Sequence, residues 1–313
     1  MGRAHPGAMT VVSDGSDFRQ VAWGGVEFAV PREWEPRQVD ARRLVLGRGT
    51  DPALELKWGA GPTGPPVKRL ARAIHQRSGA FRDYPLPPEW QRALRGREGR
   101  AFEWTAGGAS AGGACVRCCR CGRVCLIQFF DRDAPGWSER AVRVLASLAD
   151  HRDDGRTRWR LFDVAVDLPQ AFQTGGSRFH AGRFELRFQA PRRRLTLWRW
   201  APAGALLQGQ DLVRFAAATL GGAGLRFESA VVEGSAAAVA APSVRGGIGA
   251  RFAERVGWAR RRAVRVWHLV AANRILGVDL LGPSREFMSE FEEICGRYGV
   301  DESTGAPGTA PGA

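Results

Sequence analysis

The sequence predicts an α+β protein built from two tandem copies of one unit, each a mainly antiparallel β-sheet packed with helices. Three observations predict it. The order of apolar segments recurs after about 145–150 residues. Within each copy, stretches of two-residue alternation outnumber stretches of helical spacing. Few connections between successive strands are long enough for a parallel crossover.

The copies can be followed element by element. VEFAVPREW (Val26–Trp34) and FDVAVDLPQAF (Phe162–Phe172) each read as a strand running into a proline. RRLVLGRGTDPALELKW (Arg42–Trp58) and GRFELRFQAPRRRLTLWRW (Gly182–Trp200) each read as two strands around a turn, with Lys57-Trp58 aligned on Arg199-Trp200. Val67, Leu70, Ala71 and Ile74 give one apolar helical stripe; Leu212, Phe215, Ala216 and Thr219 give its counterpart. A glycine-bearing segment follows, GREGRAFEW (Gly96–Trp104) against GGIGARFAERV (Gly246–Val256). A hairpin comes next, ACVRCCRCGRVCLIQFF (Ala114–Phe130) against RVWHLVAANRILGVDLL (Arg265–Leu281). Each copy closes with a helix, carried by Trp137, Ala141, Val144 and Leu148 and then by Phe287, Phe291, Ile294 and Tyr298. The expected order in each copy is β-β-β-α-β-β-β-α. The polar run HRDDGRTR (His151–Arg158) marks the boundary, so the repeats span 20–151 and 152–300. Tails 1–19 and 301–313 are expected to be disordered, and GAGPTGPP (Gly59–Pro66) to be a loop.

The formal charge is +14, with a sequence pI near 10.9. Such a balance attracts polyanions. Only Lys57 and Lys68 are lysines, however, and arginine-for-lysine usage alongside abundant Ala, Gly and Pro also follows from GC-rich coding. No run of eighteen apolar residues suggests a membrane span. MGRAHPGAMTVVSDG lacks the apolar stretch of a signal peptide, so a soluble cytoplasmic protein is expected.

VEFAVPREW at the start of the first copy and WSERAVRVLASLAD at its end resemble the PsbP-like family, which opens with a strand into a Pro-x-x-Trp-type turn and ends in a hairpin and a helix. The resemblance covers most of each copy and rests on patterns rather than chemical motifs. It implies an α+β fold and a role in binding or organising other proteins, without a shared catalytic centre.

Five of the six cysteines fall in CVRCCRCGRVC, Cys115 to Cys125. Cys118-x-x-Cys121-Gly122 has the form of a zinc knuckle, and Cys115-x-x-Cys118 repeats the spacing. Cys115, Cys118, Cys121 and Cys125 are therefore candidate zinc ligands. No second knuckle completes a zinc ribbon, and His5, His75, His151, His180 and His268 show no ligand spacing. In the sister hairpin, Val266, Leu269, Val270, Ala272 and Leu276 stand where the cysteines do, so the fold can form this hairpin without a metal. Buried cysteine as a small hydrophobe, a metal site and a redox pair all remain open. A two-residue turn at Cys121-Gly122 would set Cys118 opposite Cys125 and Cys119 opposite Val124.

Other chemistry is sparse. Asp131 and Asp133, and His151 with Asp153 and Asp154, sit in arginine-flanked polar loops where solvated turn carboxylates are the default; Glu290–Glu293 read as a polar helix face. GGIGAR lacks the form of a phosphate loop, and no G-x-S-x-G or H-E-x-x-H occurs, so an enzyme is disfavoured. Arg192, Arg193 and Arg194, and Arg260, Arg261 and Arg262 with Arg265, lie near Trp198, Trp200, Trp258 and Trp267, an arrangement able to grip phosphates and stack bases. Arg123 and Arg274 follow the two hairpin turns at equivalent places. The first expectation is a non-enzymatic interaction protein with a protein partner. The alternatives are nucleic acid on the arginine clusters, or a zinc or thiol site in the cysteine hairpin.

Overall fold

The computed structural model describes residues 17–60, 67–130, 132, 134–221, 225–232, 234–240, 260–283 and 286–301. Among them are nineteen strands and six helices, in three antiparallel sheets, so the fold is α+β and mostly sheet. The segment GGIGARFAERV, residues 61–66, both aspartates of Asp131-Arg132-Asp133, and residues 1–16 and 302–313 lie outside the described residues.

The central sheet is built from two hairpins. β1 (Phe18–Trp23) and β2 (Val26–Pro31) turn through Gly24 and Gly25, both at positive φ. That is the backbone a two-residue hairpin demands and glycine supplies without strain. β10 (Arg156–Leu161) and β11 (Val164–Pro169) turn through Phe162 and Asp163. The hairpins meet edge to edge, β1 antiparallel to β10 with Ala22 opposite Arg160. β19 (Tyr298–Val300) adds to the far side of β11, giving the order β19-β11-β10-β1-β2. At the opposite edge, Ala149 exchanges two backbone hydrogen bonds with Glu27 of β2, at 2.7 and 2.8 Å.

Each half also forms a seven-stranded sheet. The first contains β3 (Glu35–Asp40), β4 (Arg43–Arg48), β5 (Asp51–Ala60), β6 (Ala80–Pro85), β7 (Arg97–Ala106), β8 (Ala109–Cys118) and β9 (Arg123–Phe129). The second contains β12 (Gln173–His180), β13 (Arg183–Ala190), β14 (Arg193–Trp200), β15 (Glu228–Val232), β16 (Ser235–Ala240), β17 (Arg260–Leu269) and β18 (Arg274–Pro283). Their orders, β3-β4-β5-β9-β8-β7-β6 and β12-β13-β14-β18-β17-β16-β15, agree position for position. The helices are α1 (Val67–His75), α2 (Pro88–Ala93), α3 (Trp137–Ala146), α4 (Ala203–Leu207), α5 (Leu212–Leu220) and α6 (Phe287–Arg297).

Five strands, not the expected three, precede the first helix of each half. β3 is mostly exposed, so its sequence lacks the apolar alternation by which strands are recognised. The Gly24-Gly25 turn adds β1 ahead of the expected strand at Val26.

One core runs through both halves. It takes the inner faces of the two large sheets (Leu44, Leu54, Leu56, Leu186, Leu195, Leu197), the central sheet (Val21, Phe28, Trp159, Val166), and the buried faces of α3 (Ala141, Val144) and α6 (Phe287, Phe291, Ile294). The outer face of the first sheet gathers Phe102, Cys115 and Leu126 against Leu70 of α1. The outer face of the second gathers Trp198, Trp200, Val264 and Val266 against Phe215 and Ala216 of α5. Ile74, Phe215 and Ala216 are buried, as the helical spacing predicts.

The tryptophan alignment needs correction. Trp58 belongs to the inner core, whereas Trp200 packs on the outer face, stacked on Trp198 at 6.0 Å. Leu54 and Leu56 share the inner face with Leu195 and Leu197, so Trp58 corresponds to Arg199. A one-residue slip in a strand moves every side chain to the other face, and the paired basic-Trp dipeptides concealed that slip.

Trp23 carries the junction between halves. It is 1% exposed, meets Trp159 edge-on at 5.0 Å and Phe179 at 6.3 Å, and donates its indole N–H to the Asp40 carbonyl at 2.8 Å. Trp23→Ala should therefore cost about 3–5 kcal/mol, as large-to-small core changes do. Urea unfolding checks this: a loss under about 1 kcal/mol would mean the halves are not joined through this residue.

Candidate functional site

β8 and β9 form the expected hairpin, but its register differs from the expectation. Cys115 pairs with Leu126, Val116 with Cys125 and Arg117 with Val124. Cys118 is thus not opposite Cys125, nor Cys119 opposite Val124. The loop spans Cys119–Gly122 instead of turning on two residues, and Gly122 N–H closes it onto the Cys118 carbonyl at 3.0 Å. The sister loop has the same length, with Leu269 opposite Arg274. Gly122 at φ 70 and Asn273 at φ 52 occupy the left-handed region that both residue types tolerate.

The wider loop decides which cysteines meet. Cys115 points to the outer face with Phe102 and Leu126, and Cys125 is buried in the inner core. Cys118, at the end of β8, and Cys121, in the loop, instead converge on Asp150 and His151. One ligand atom from each of these four residues lies within 4.8 Å of the others. Cys118 Sγ is 3.6 Å from His151 Nδ1, Cys121 Sγ is 3.6 Å from Asp150 Oδ2, and His151 Nδ1 is 3.1 Å from Asp150 Oδ1.

The surroundings hold these groups in place. Asp150 and His151 follow directly on Ala149, which the two hydrogen bonds to Glu27 anchor to β2. Arg97 stands opposite Cys118 on β7; its Nη2 donates to Asp150 Oδ1 at 2.9 Å and to the Leu148 carbonyl at 2.8 Å. Arg120 in the loop pairs with Asp153, with Nη1 3.1 Å from Oδ2. Arg152 hydrogen-bonds Asp154 and holds its carboxyl down at about 2. Cys118 and Asp150 are buried, His151 is half-buried and Cys121 is exposed. Burial pushes the Cys121 thiol up, with Cys118 and Asp150 adding to the effect, while the Arg123 backbone N–H at its sulfur opposes it.

Asp150 is not singled out in the sequence, and His151 reads there with Asp153 and Asp154 as a solvated polar set and among the histidines without ligand spacing. No local pattern joins Cys118-x-x-Cys121 to an Asp-His pair far along the chain. The link is the Ala149–Glu27 bridge, a contact between distant segments.

Arg123 and Arg274 have a shared task. Arg123 donates to the Gly25 carbonyl at the β1–β2 turn, and Arg274 bonds Asp163 at the β10–β11 turn, at 2.6 Å. Trp58 Nε1 joins the first contact through the Gly24 carbonyl at 3.2 Å, and Arg199 joins the second through Asp163. Beside the first turn lies a cleft of about 550 Å³ between the halves. Gly24, Arg42, Trp58, Cys121 and Arg123 come from one half, and Thr157, Trp159, Gln170, Gln173 and Thr174 from the other. None of the described residues lining it is acidic.

The arginine clusters are dispersed over the second sheet. Arg192 is a turn residue at φ 63, while Arg193 and Arg194 begin β14 and Arg260, Arg261 and Arg262 begin β17. Arg193 pairs with Glu290 at 2.8 Å, Arg262 with Asp279 at 2.7 Å and Arg265 with Glu292 at 2.5 Å. Glu290 and Glu292, read from sequence as a polar helix face, thus tie α6 to the sheet. Trp198 and Trp200 lie in the outer core rather than beside open arginines, and Trp258 is outside the described residues.

Comparison with protein-family models and with curated proteins finds no match to this chain. No described helix is long and apolar enough to cross a membrane.

The cysteine environments predict distinct reactivities. In metal-free protein near neutral pH, a thiol reagent should modify the exposed Cys119 rapidly, the exposed Cys121 more slowly because its thiol is pushed up, and the buried Cys115, Cys118, Cys125 and Cys295 only on unfolding. Burial, reinforced by Asp150, pushes the Cys125 thiol up to about 12. Its raised value contributes stability below the unfolded thiol range that is lost as pH rises toward 12, because the unfolded chain ionises first. Denaturation midpoints should fall over that alkaline window and fall less in Cys125→Val; equal slopes would contradict the assignment.

Proposed function

We propose that this chain is a non-enzymatic interaction protein formed by duplication of one α+β unit, and that its inter-half cleft receives an acidic segment of a partner protein. The matching strand orders of the two large sheets support the duplication. The observation that carries the binding reading is the composition of the cleft. Two guanidinium groups, Arg42 and Arg123, line it together with the indoles of Trp58 and Trp159 and the amide side chains of Gln170 and Gln173, with no carboxylate among the described lining residues. Arg123 is committed to the Gly25 carbonyl, but Arg42 is exposed and pairs with no carboxylate among the described residues. It is free to meet an anion.

The overall charge of +14 works in the same direction by steering acidic partners toward the surface. The likeness of VEFAVPREW and WSERAVRVLASLAD to the PsbP-like family, whose members mostly bind or organise other proteins, agrees with it. The nucleic-acid alternative has less support, because Arg193, Arg262 and Arg265 spend their charge on Glu290, Asp279 and Glu292. A cytoplasmic setting remains the expectation that goes with this role.

Fluorescence anisotropy with a labelled Asp/Glu-rich peptide tests the proposal. Binding should weaken as salt is raised, and Arg42→Glu should weaken it about tenfold or more. No binding at low salt, an unchanged affinity in Arg42→Glu, or tighter binding of a single-stranded oligonucleotide of equal charge would overturn it.

A further inference from the structure

We infer that Cys118, Cys121, Asp150 and His151 are the four ligands of a tetrahedral zinc ion that fastens the tip of the cysteine hairpin to the segment leading into the second half. The distances support it. A zinc ion with sulfur ligands near 2.3 Å and nitrogen or oxygen ligands near 2.0–2.1 Å requires S···N and S···O edges of about 3.5 Å. The Cys118–His151 and Cys121–Asp150 edges are both 3.6 Å. Asp150 Oδ2 is the oxygen that faces Cys121, while Oδ1 faces Arg97 and lies 3.1 Å from His151 Nδ1, and one ligand atom from each of the four residues falls within 4.8 Å of the others.

The donor set selects the metal. Two thiolates and an imidazole suit zinc, whereas magnesium and calcium require oxygen. Four protein ligands fill a tetrahedral shell, which is the form of a structural site rather than a catalytic one with an open position. As the two Zn–S bonds form, both thiol protons leave to solvent, and His151 binds through neutral Nδ1. Two thiolates, one carboxylate and the dication sum to a single negative charge, and the Arg97 guanidinium lies against Asp150 to balance it.

The shell around the ligands is already built. Arg97 fixes the Asp150 carboxylate, the Arg123 backbone N–H faces the Cys121 sulfur, and the Arg120–Asp153 ion pair closes the loop over the 150–154 segment. Such outer contacts orient ligands and raise affinity. The exposed edge at Cys121 is the entry path for the ion.

The second half shows what the site adds. Its hairpin has the same loop length and register, yet Leu269 and Ala272 stand where Cys118 and Cys121 do. The hairpin therefore folds without a metal, and the four ligands are an addition to the first half. Their effect is a cross-link between residues 118–121 and 150–151, next to the cleft that Cys121 and Arg123 help to line. The site needs no ligand in that cleft, so either proposal can fail alone.

Tag-free full-length protein, stripped with chelator and reloaded, tests the assignment. Zinc analysis should give one ion per chain. Cobalt should give the strong visible bands of tetrahedral coordination together with a thiolate charge-transfer band. Saturating zinc should raise Tm by roughly 5 °C. Cys121→Ala and His151→Ala, both at the accessible side of the group, should lower zinc affinity by more than about 100-fold while circular dichroism stays native. Cys119→Ala, whose exposed thiol is outside the group, should keep full affinity. No bound zinc, an octahedral cobalt spectrum, or unchanged affinity in Cys121→Ala or His151→Ala would overturn the site.

Discussion

The antiparallel pairing of β1 with β10 is the constraint on which the rest of this structure depends. It turns two hairpins, each with an open edge, into one sheet, and so places the two large sheets on a common core. An unpaired β1 or β10 would expose a row of backbone donors and acceptors, and each covers the other. Trp23 and Trp159 meet beneath the joint, and Phe188 continues the contact at 4.8 Å from Trp159. The pairing also dictates the path between halves. The chain leaves α3, touches β2 at Ala149, and must turn back at once to enter β10.

That return delivers Asp150 and His151 to the tip of the cysteine hairpin. A loop of this length exists in both halves, and so does an arginine that grips the neighbouring hairpin turn. What differs is chemistry at a few positions on a shared frame. In the second half the corresponding turn is secured by Asp163, with Arg199 and Arg274 bound to it. In the first half the turn is Gly24-Gly25, which offers only carbonyls, and the nearby thiols, carboxylate and imidazole form the group inferred to hold zinc. The proposed duplication, followed by divergence at these positions, would account for both.

Much of the fold was legible because strand alternation and helical stripes are local signals. The apolar faces of α3 and α6 followed from spacing, and the hairpin at Ala114–Phe130 from its match to Arg265–Leu281. β3 and β6 were not, since edge strands that face solvent carry no alternation. Trp58 was aligned on Trp200, which lies on the opposite face, because the matching basic-Trp dipeptides hid a slip of one residue. The site was half legible. Cys118-x-x-Cys121 announces a pair of ligands, but Asp150 and His151 enter through a contact with β2 that no local pattern encodes. Cys115 and Cys125 shared the motif's composition and not its geometry, because strand parity and loop length sent them to the outer face and the inner core.

The most direct measurement is a crystallographic anomalous difference map of zinc-grown protein, recorded on both sides of the zinc absorption edge. The account predicts a single peak per chain, bonded at about 2.3 Å to the sulfurs of Cys118 and Cys121 and at about 2.0–2.2 Å to His151 Nδ1 and an Asp150 oxygen. A map without that peak, or with density bound by Cys115, Cys119 or Cys125 in place of Asp150 and His151, would contradict it.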